Sequence, residues 1–140
     1  MRVLGLDVGD RRIGVAISDA LGITAQRLTL VERGDDVPAT VSAIAALAAE
    51  HQAEAVVVGL PLTMQGSVGE QAKRVMGFVE ALREQLRCPV EVLDERLTTV
   101  QGQRSLLATD TSRSKRKRLI DQVAAQLILQ AYLDARAQSR

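Results

Sequence analysis

The hydrophobic pattern opens with two short apolar runs, Val3-Leu4-Gly5-Leu6-Asp7-Val8 and Ile13-Gly14-Val15-Ala16-Ile17-Ser18, on either side of the polar link Gly9-Asp10-Arg11-Arg12. Such runs around a four-residue link containing glycine predict a β-hairpin. Ile23 to Val31 predicts a third strand, and the polar stretch Glu32 to Asp36 a loop. From Val37 to His51 the period changes, with Val41, Ile44, Ala45 and Ala48 at helical spacing. Asp36 can cap that helix, and Pro38 is tolerated in its first turn. Ala55 to Gly59 is continuously apolar, the pattern of a strand buried on both faces of a parallel sheet. Ser67-Val68-Gly69-Glu70 has capping-box form, and Ala72, Val75, Met76, Val79, Leu82 and Leu86 continue it as an amphipathic helix. Pro89 to Leu93 predicts a further strand. Thr98 with Gln101 forms a second capping-box pattern, opening a short helix to Ala108. Leu119 to Ala137 predicts the last helix, with Ile120, Val123, Ala124, Leu127, Ile128 and Ala131 on one face.

The order βββ-α-β-α-β-α-α predicts an α/β fold, in which an antiparallel meander and parallel strands share a mixed five-stranded sheet flanked by helices. No linker, repeat or low-complexity tract interrupts the 140 residues, so one domain, 1–140, is expected.

Composition narrows the class. Hydrophobic residues make up 46% and charged residues 25%, as in ordinary globular chains. No apolar stretch approaches the ~18 residues of a membrane-spanning helix. The opening MRVLGLDVGD shows no apolar segment leading to a small-residue cleavage site. A cytoplasmic protein without membrane contact is expected. The single cysteine, Cys88, rules out an intramolecular disulfide and a C-x-x-C zinc cluster. Before Pro89 and a strand it reads as a small buried hydrophobe. His51, the one histidine, reads as a surface residue at a helix C-terminus.

Net charge is +1, and its distribution matters more than its sum. Arg113-Ser114-Lys115-Arg116-Lys117-Arg118 carries five positive charges and no negative one, while the rest of the chain has 13 basic and 17 acidic residues. This run, read as a loop before the last helix, is a candidate polyanion contact. With Phe78 and Tyr132 as the only aromatic residues, contact through phosphates is expected rather than stacking on aromatic platforms.

Three acids stand in places that suit an acid poorly. Burying an unpaired carboxylate costs several kcal/mol or forces protonation. Asp7 interrupts the apolar first strand, where a divalent cation would stabilise it. Asp94 and Glu95 follow the strand Val90 to Leu93, at the carboxyl end where α/β sheets gather ligands. Either can serve a site, and either can be an ordinary acid paired with Arg96. Asp121 falls in line with Ala125, Ile128 and Tyr132 at the edge of the packing face of the last helix. Carboxylates without histidine or a thiol cluster point to Mg²⁺ or Mn²⁺ rather than zinc. Two such ions ~4 Å apart can activate water and stabilise the leaving oxygen of a phosphodiester. Asp10 and Asp19 read as turn residues.

The segments LDVGDRRIGVAISD, VVVGLPLTMQGSVG, VLDERLTTVQ and KRKRLIDQVAAQLILQAYL resemble, in order, the blocks of the YqgF/RuvX family of Holliday-junction-resolvase-like proteins. The resemblance covers nearly the whole chain, and four blocks in sequence make it specific. It implies the RNase H-like fold shared with RuvC resolvases. It implies nuclease activity, with 5′-end processing of pre-16S rRNA in ribosome biogenesis as the ascribed role. The family's acidic positions fall on Asp7, Glu95 and Asp121, which favours Glu95 over Asp94. They would be both catalytic and metal-binding. Arg12 and Arg96 occupy family arginine positions and read as phosphate contacts, partners that orient an acid, or salt bridges. With Arg113, Lys115, Arg116, Lys117 and Arg118 they make the expected nucleic-acid surface. The family's GLP-x-x-M-x-G loop is Gly59 to Gly66 here, with Thr63 where many members carry Asn.

Three readings compete. The first is a metal-dependent nuclease acting on RNA or, alternatively, resolving branched DNA. The second is a phosphotransferase or ATPase, because the first hairpin also resembles the phosphate-binding hairpin of actin- and sugar-kinase-type proteins. Those need two such domains, and no G-x-x-x-x-G-K-[ST] loop occurs. The third is a non-catalytic RNA-binding assembly factor. A monomer or a homodimer suits the first, a dimer if four-way junctions are cut symmetrically.

Overall fold

The residues Val3–Val8 are all buried, as only a strand covered on both faces can be. In the computed structural model, which describes residues 1–97 and 113–138, they form β1. The other elements are β2 (Arg12–Ser18), β3 (Ala25–Glu32), α1 (Val37–Glu50), β4 (Ala55–Leu60), α2 (Glu70–Gln85), β5 (Val90–Asp94), a 3₁₀ turn (Glu95–Leu97) and α3 (Arg113–Gln138). The sheet order is β3-β2-β1-β4-β5, with β1 at the centre. The meander β1-β2-β3 is antiparallel, and β4 and β5 extend the sheet in parallel with β1. This is the mixed sheet expected from the order of elements.

Alternation along the strands divides the core in two. Leu4, Leu6, Val8, Ile13 and Val15 face Ile44 of α1 and Val75, Phe78 and Leu82 of α2. Val3, Ala16 and Val57 face Ala124, Ala125, Ile128 and Leu129 of α3. Burying each large side chain contributes about 1.5–3 kcal/mol relative to exposure. The α3 face is lined by small residues, so this helix lies close to the sheet; a Cβ on Gly5 would stand 2.6 Å from Cβ of Leu129.

Asp36 caps α1 as expected, accepting from the Ala39 N–H at 3.1 Å, and His51 forms the C-cap. Cys88 is half-buried against the core and its burial pushes the thiol up. Two expectations are corrected. Ser67 does not cap α2: the N-cap is Gly69, and the Ser67 hydroxyl pairs with Oγ1 of Thr63 at 2.6 Å. The hydroxyl is taken by the loop before it can reach the helix. The basic run is not a loop either, because Arg113 to Arg118 form the first turns of α3. Arg, Lys and Ser are compatible with a helix, and the run leads without a breaker into Leu119 and Ile120. The helix expected from Thr98 to Ala108 lies outside the described residues.

Gly77 lies within α2, and a Cβ there would meet no atom within 4 Å. Gly77→Ala is therefore expected to stabilise the fold by about 1 kcal/mol by restricting the unfolded chain. Thermal unfolding followed by circular dichroism would show a rise of roughly 4 °C.

Candidate active site

The face under α3 carries Asp7 and receives the backbone of Asp121 and the carboxylate of Glu95. Period-two alternation puts Gly5 and Asp7 of β1, Arg12 and Gly14 of β2, and Val57 and Gly59 of β4 on that face. Asp7 pairs with Gly14 across the β1–β2 ladder. A Cβ on Gly14 would lie only 2.0 Å from the backbone carbonyl oxygen of Asp121. The backbone of α3 is thus pressed onto β2 at the residue beside Asp7. On the other side of Asp7, β1 and β4 run in parallel with Leu6 opposite Val58, so Asp7 and Gly59 follow as neighbours. A Cβ on Gly59 would lie 2.8 Å from Oε1 of Glu95. The Glu95 carboxylate therefore reaches from the turn after β5 across the open surface of Gly59.

Three strands thus offer two glycine gaps, one occupied by the backbone of α3 and one shared by the Glu95 carboxylate and the Ile128 side chain of α3, whose Cδ1 would lie 2.4 Å from a Cβ on Gly59. Asp7 and Glu95 are 5% and 4% exposed, which makes them the buried acids among the described residues. Asp121 is half-buried. The cluster lies at the carboxyl ends of the parallel strands β1, β4 and β5, where α/β sheets hold their ligands. Among the described residues no group of three or more Asp, Glu, His or Cys side chains stands close enough to hold a metal ion. The donor chemistry nevertheless suits a hard cation. Mg²⁺ commonly takes one or two carboxylates and completes its shell with water and substrate phosphate, and Asp7 and Glu95 provide such a buried pair.

Arg12 is the next residue outward from Gly14 on this face. Its Nη1 is buried and has no hydrogen-bond partner among the described residues. An unsatisfied buried donor costs about 1–3 kcal/mol, and such a cost persists where a ligand supplies the missing acceptor.

Arg96 has a different position. Its Nε lies 3.1 and 3.0 Å from the two carboxylate oxygens of Asp94, and its Nη2 donates to Oδ2 at 2.7 Å. These hydrogen bonds hold the Asp94 carboxyl below the usual carboxylate range and raise the Arg96 guanidinium. The pair is complete above the ordinary aspartate value of ~3.9 and is lost as pH falls through the lowered folded value. Asp94 is therefore the acid that Arg96 orients, and Glu95 is the one that reaches the sheet. The guanidinium also packs on Gly66, whose Cβ would stand 2.9 Å from Nη1.

Asp10 and Asp19 lie elsewhere. Asp10 has a side chain 81% exposed, 3.9 Å from Arg74. Asp19, at the far end of β2, accepts the N–H groups of Ile23 and Thr24 at 2.7 and 3.0 Å. Those bonds lower its pKa, as befits a turn residue. The basic run begins α3 and so extends past Asp121 at the site end of the sheet.

Sequence reasoning missed two contributors. Gly14 forms the floor with Gly59, and a glycine inside an apolar strand was the available signal for close approach. Arg33 was read only as part of a polar loop. Its Nη1 donates to the Gly9 carbonyl at 2.8 Å and its guanidinium lies 5.4 Å from the centre of the Phe78 ring. It thereby fixes the turn from which Arg12 projects.

A model of the RuvX family, described as Holliday junction resolvase, matches residues 1–135. A protein of Caldanaerobacter subterraneus subsp. tengcongensis is 52% identical over 140 residues, covering 99% of this chain and all of the relative. One of Clostridium novyi is 49% identical over 135 residues, covering 96% of this chain and 99% of the relative. Both carry the name "Putative pre-16S rRNA nuclease". Among solved structures, Thermus thermophilus RuvC in complex with a Holliday junction superposes with a TM-score of 0.62 at 16% identity, covering 99% of this chain and 97% of that one. The architecture is the RNase H-like fold that the sequence blocks implied.

Proposed function

Since the chain belongs to the RuvX family of Holliday-junction-resolvase-like proteins, we propose that it is a divalent-metal-dependent nuclease that hydrolyses phosphodiester bonds in 5′-end processing of pre-16S rRNA. The observation that carries this reading is the pair of buried carboxylates, Asp7 and Glu95, beside Gly14 and Gly59 at the carboxyl end of the sheet. Carboxylate oxygens are the ligands that a hard divalent cation prefers. Asp7 and Glu95 would hold Mg²⁺ or Mn²⁺, with Asp121 of α3 as the third acid. When bound, the ion would supply the Lewis acidity that activates water and offsets charge on the leaving oxygen.

The chain's own residues do the rest. The basic start of α3 draws the polyanionic strand to the end of the sheet where the acids stand. Arg12 offers its buried Nη1 to a phosphate oxygen and orients the phosphodiester over Asp7. The close seat of α3 on Gly14 keeps Asp121 beside that phosphate. A role in rRNA maturation implies a cytoplasmic site of action, and no helix among the described residues is long and apolar enough to cross a membrane.

The family description favours one second reading, cleavage of four-way DNA junctions. Symmetric junction cutting needs two sites related by a twofold axis, whereas trimming an RNA end needs one. Labelled precursor 16S RNA and a labelled four-way junction, each incubated with the protein in Mg²⁺, Mn²⁺ or EDTA, separate the readings. Cleavage of the RNA near the mature 5′ end by a monomer supports the first. Cleavage of the junction alone, by a dimer, replaces it with the second. Binding of RNA without cleavage under any metal points to an assembly factor.

Two outcomes bear on the cationic residues. Arg12→Met removes the orphaned buried donor, so it is expected to raise stability of the free protein by about 1 kcal/mol while weakening RNA binding about tenfold. Urea unfolding and a filter-binding titration read the two effects, and lowered stability would instead mark Arg12 as a structural residue. Replacing Lys115, Arg116 and Lys117 together by Gln is expected to reduce the slope of log K against log [salt] by about 2–3, uniformly across RNA sequences. Binding measured from 50 to 200 mM KCl gives that slope directly.

A further inference from the structure

The loop between β4 and α2 carries the most exposed large apolar side chain among the described residues, Met64, at 79%. An exposed methionine on a mobile segment would mean little, but this one sits on a built turn. The Thr63 carbonyl accepts the Gly66 N–H at 2.8 Å, and the Thr63 N–H donates to the Ser67 carbonyl at 3.0 Å. The Thr63 and Ser67 hydroxyls are 2.6 Å apart, and Oγ1 of Thr63 also accepts the Ser67 N–H at 3.1 Å. Gly66 has φ +83°, a conformation that glycine adopts without strain. The base of the turn is pinned from outside as well, because the Arg96 guanidinium packs on Gly66 and is itself held by Asp94. Met64 and Gln65 are the two corner residues of this turn.

The position matters as much as the rigidity. The loop leaves β4 after Leu60, one residue beyond Gly59, beside which the Glu95 carboxylate lies, and Arg96 is the residue after Glu95. An unbranched thioether is thus presented to solvent at the end of the sheet that holds the acids. Phosphate contacts grip a strand but do not separate its bases. Phe78 is buried in the α2 core, and Tyr132 hydrogen-bonds Glu91 far along α3, so neither aromatic ring is offered at the acid end. Unbranched and branched apolar side chains, methionine among them, wedge between base steps in nucleic-acid complexes.

We propose that Met64 inserts beside a nucleobase next to the scissile phosphate and unstacks it from its neighbour, so that the phosphodiester can bend down onto Asp7 and Glu95. This rests on the nuclease reading for its catalytic consequence, but the insertion itself is a binding event. Met64 is on this view a positioning residue. It touches a base and acts on the phosphate through the strand.

The probe is a precursor 16S leader RNA with 2-aminopurine, whose fluorescence rises on unstacking, placed at successive positions through the single-stranded leader. Binding is read in EDTA and cleavage in Mg²⁺. Wild-type protein is expected to raise the fluorescence at one or two adjacent positions. Met64→Ala should abolish that rise and lower kcat about tenfold with KM changed less than about threefold. Met64→Leu should restore both, and neither variant should shift Tm, because the side chain is exposed. Wild-type fluorescence and kcat in Met64→Ala, with cleavage intact, overturn the insertion and leave the nuclease reading standing. A Met64-dependent fluorescence rise without cleavage by wild type supports insertion and removes the nuclease reading. Fluorescence that does not rise on binding of wild-type protein at any position also overturns the proposal.

Discussion

Asp7→Asn should abolish metal-dependent cleavage, with a loss of at least about 100-fold, while the protein remains folded. Residues that merely support a metal ligand are worth 10–100-fold, so a direct ligand at the centre of the site is worth at least the upper end. Asp7 is 5% exposed and stands on the central strand opposite Gly14. Asn keeps the shape and removes the charge. Because Asn fills the same space and can still hydrogen-bond, Tm in EDTA should not fall by more than a few degrees. Circular dichroism melts and single-turnover cleavage of labelled RNA measure the two sides. A large loss of stability would mean that the charge of Asp7 serves the fold rather than a metal.

The second large effect concerns a residue without chemistry of its own. Gly14→Ala should destabilise the protein by about 3 kcal/mol, at the upper end for overpacking, and lower Tm by roughly 10 °C. The added carbon would stand 2.0 Å from the Asp121 carbonyl oxygen and 2.5 Å from its carbonyl carbon. Both are backbone atoms, so no side-chain rotation relieves the clash and α3 must lift off β2. Lifting α3 also carries Asp121 away from Asp7. Cleavage should therefore fall more than the folded fraction does, even at temperatures where the variant is fully folded. Gly34→Ala, where a Cβ meets nothing within 4 Å, is the matched control and should leave both properties unchanged. A Gly14→Ala protein of normal stability would show that α3 does not sit as close as described.

Much of this was legible in the sequence because the signals were local. The alternation of Val3 to Val8 and Ile13 to Ser18 and the caps at Asp36 and His51 are short-range patterns that the fold retains. An acid inside a strand, such as Asp7, is visible for the same reason: its neighbours declare the burial that it contradicts. The choice between Asp94 and Glu95 was not local. Asp94 ends β5 and Glu95 follows it, and only the reach of Glu95 over Gly59, a tertiary contact, separates it from an Asp94 claimed by Arg96. The seat of α3 on Gly14 depends on which helix arrives at that strand from more than 100 residues away. The Ser67 capping pattern misled because one hydroxyl had two possible partners, and Thr63 was the nearer. The basic run misled because like charges suggest a solvated loop, while Arg and Lys are good helix formers and no Gly or Pro separates them from the rest of α3.

The metal itself is tested most directly by electron paramagnetic resonance of Mn²⁺ titrated into the wild-type protein and into Asp7→Asn and Glu95→Gln. Saturable binding in the wild type, weakened at least about tenfold in each variant, is the expected result. Mn²⁺ that binds all three proteins equally, or does not bind the wild type at millimolar concentration with RNA present, would contradict a metal-dependent site built on Asp7 and Glu95.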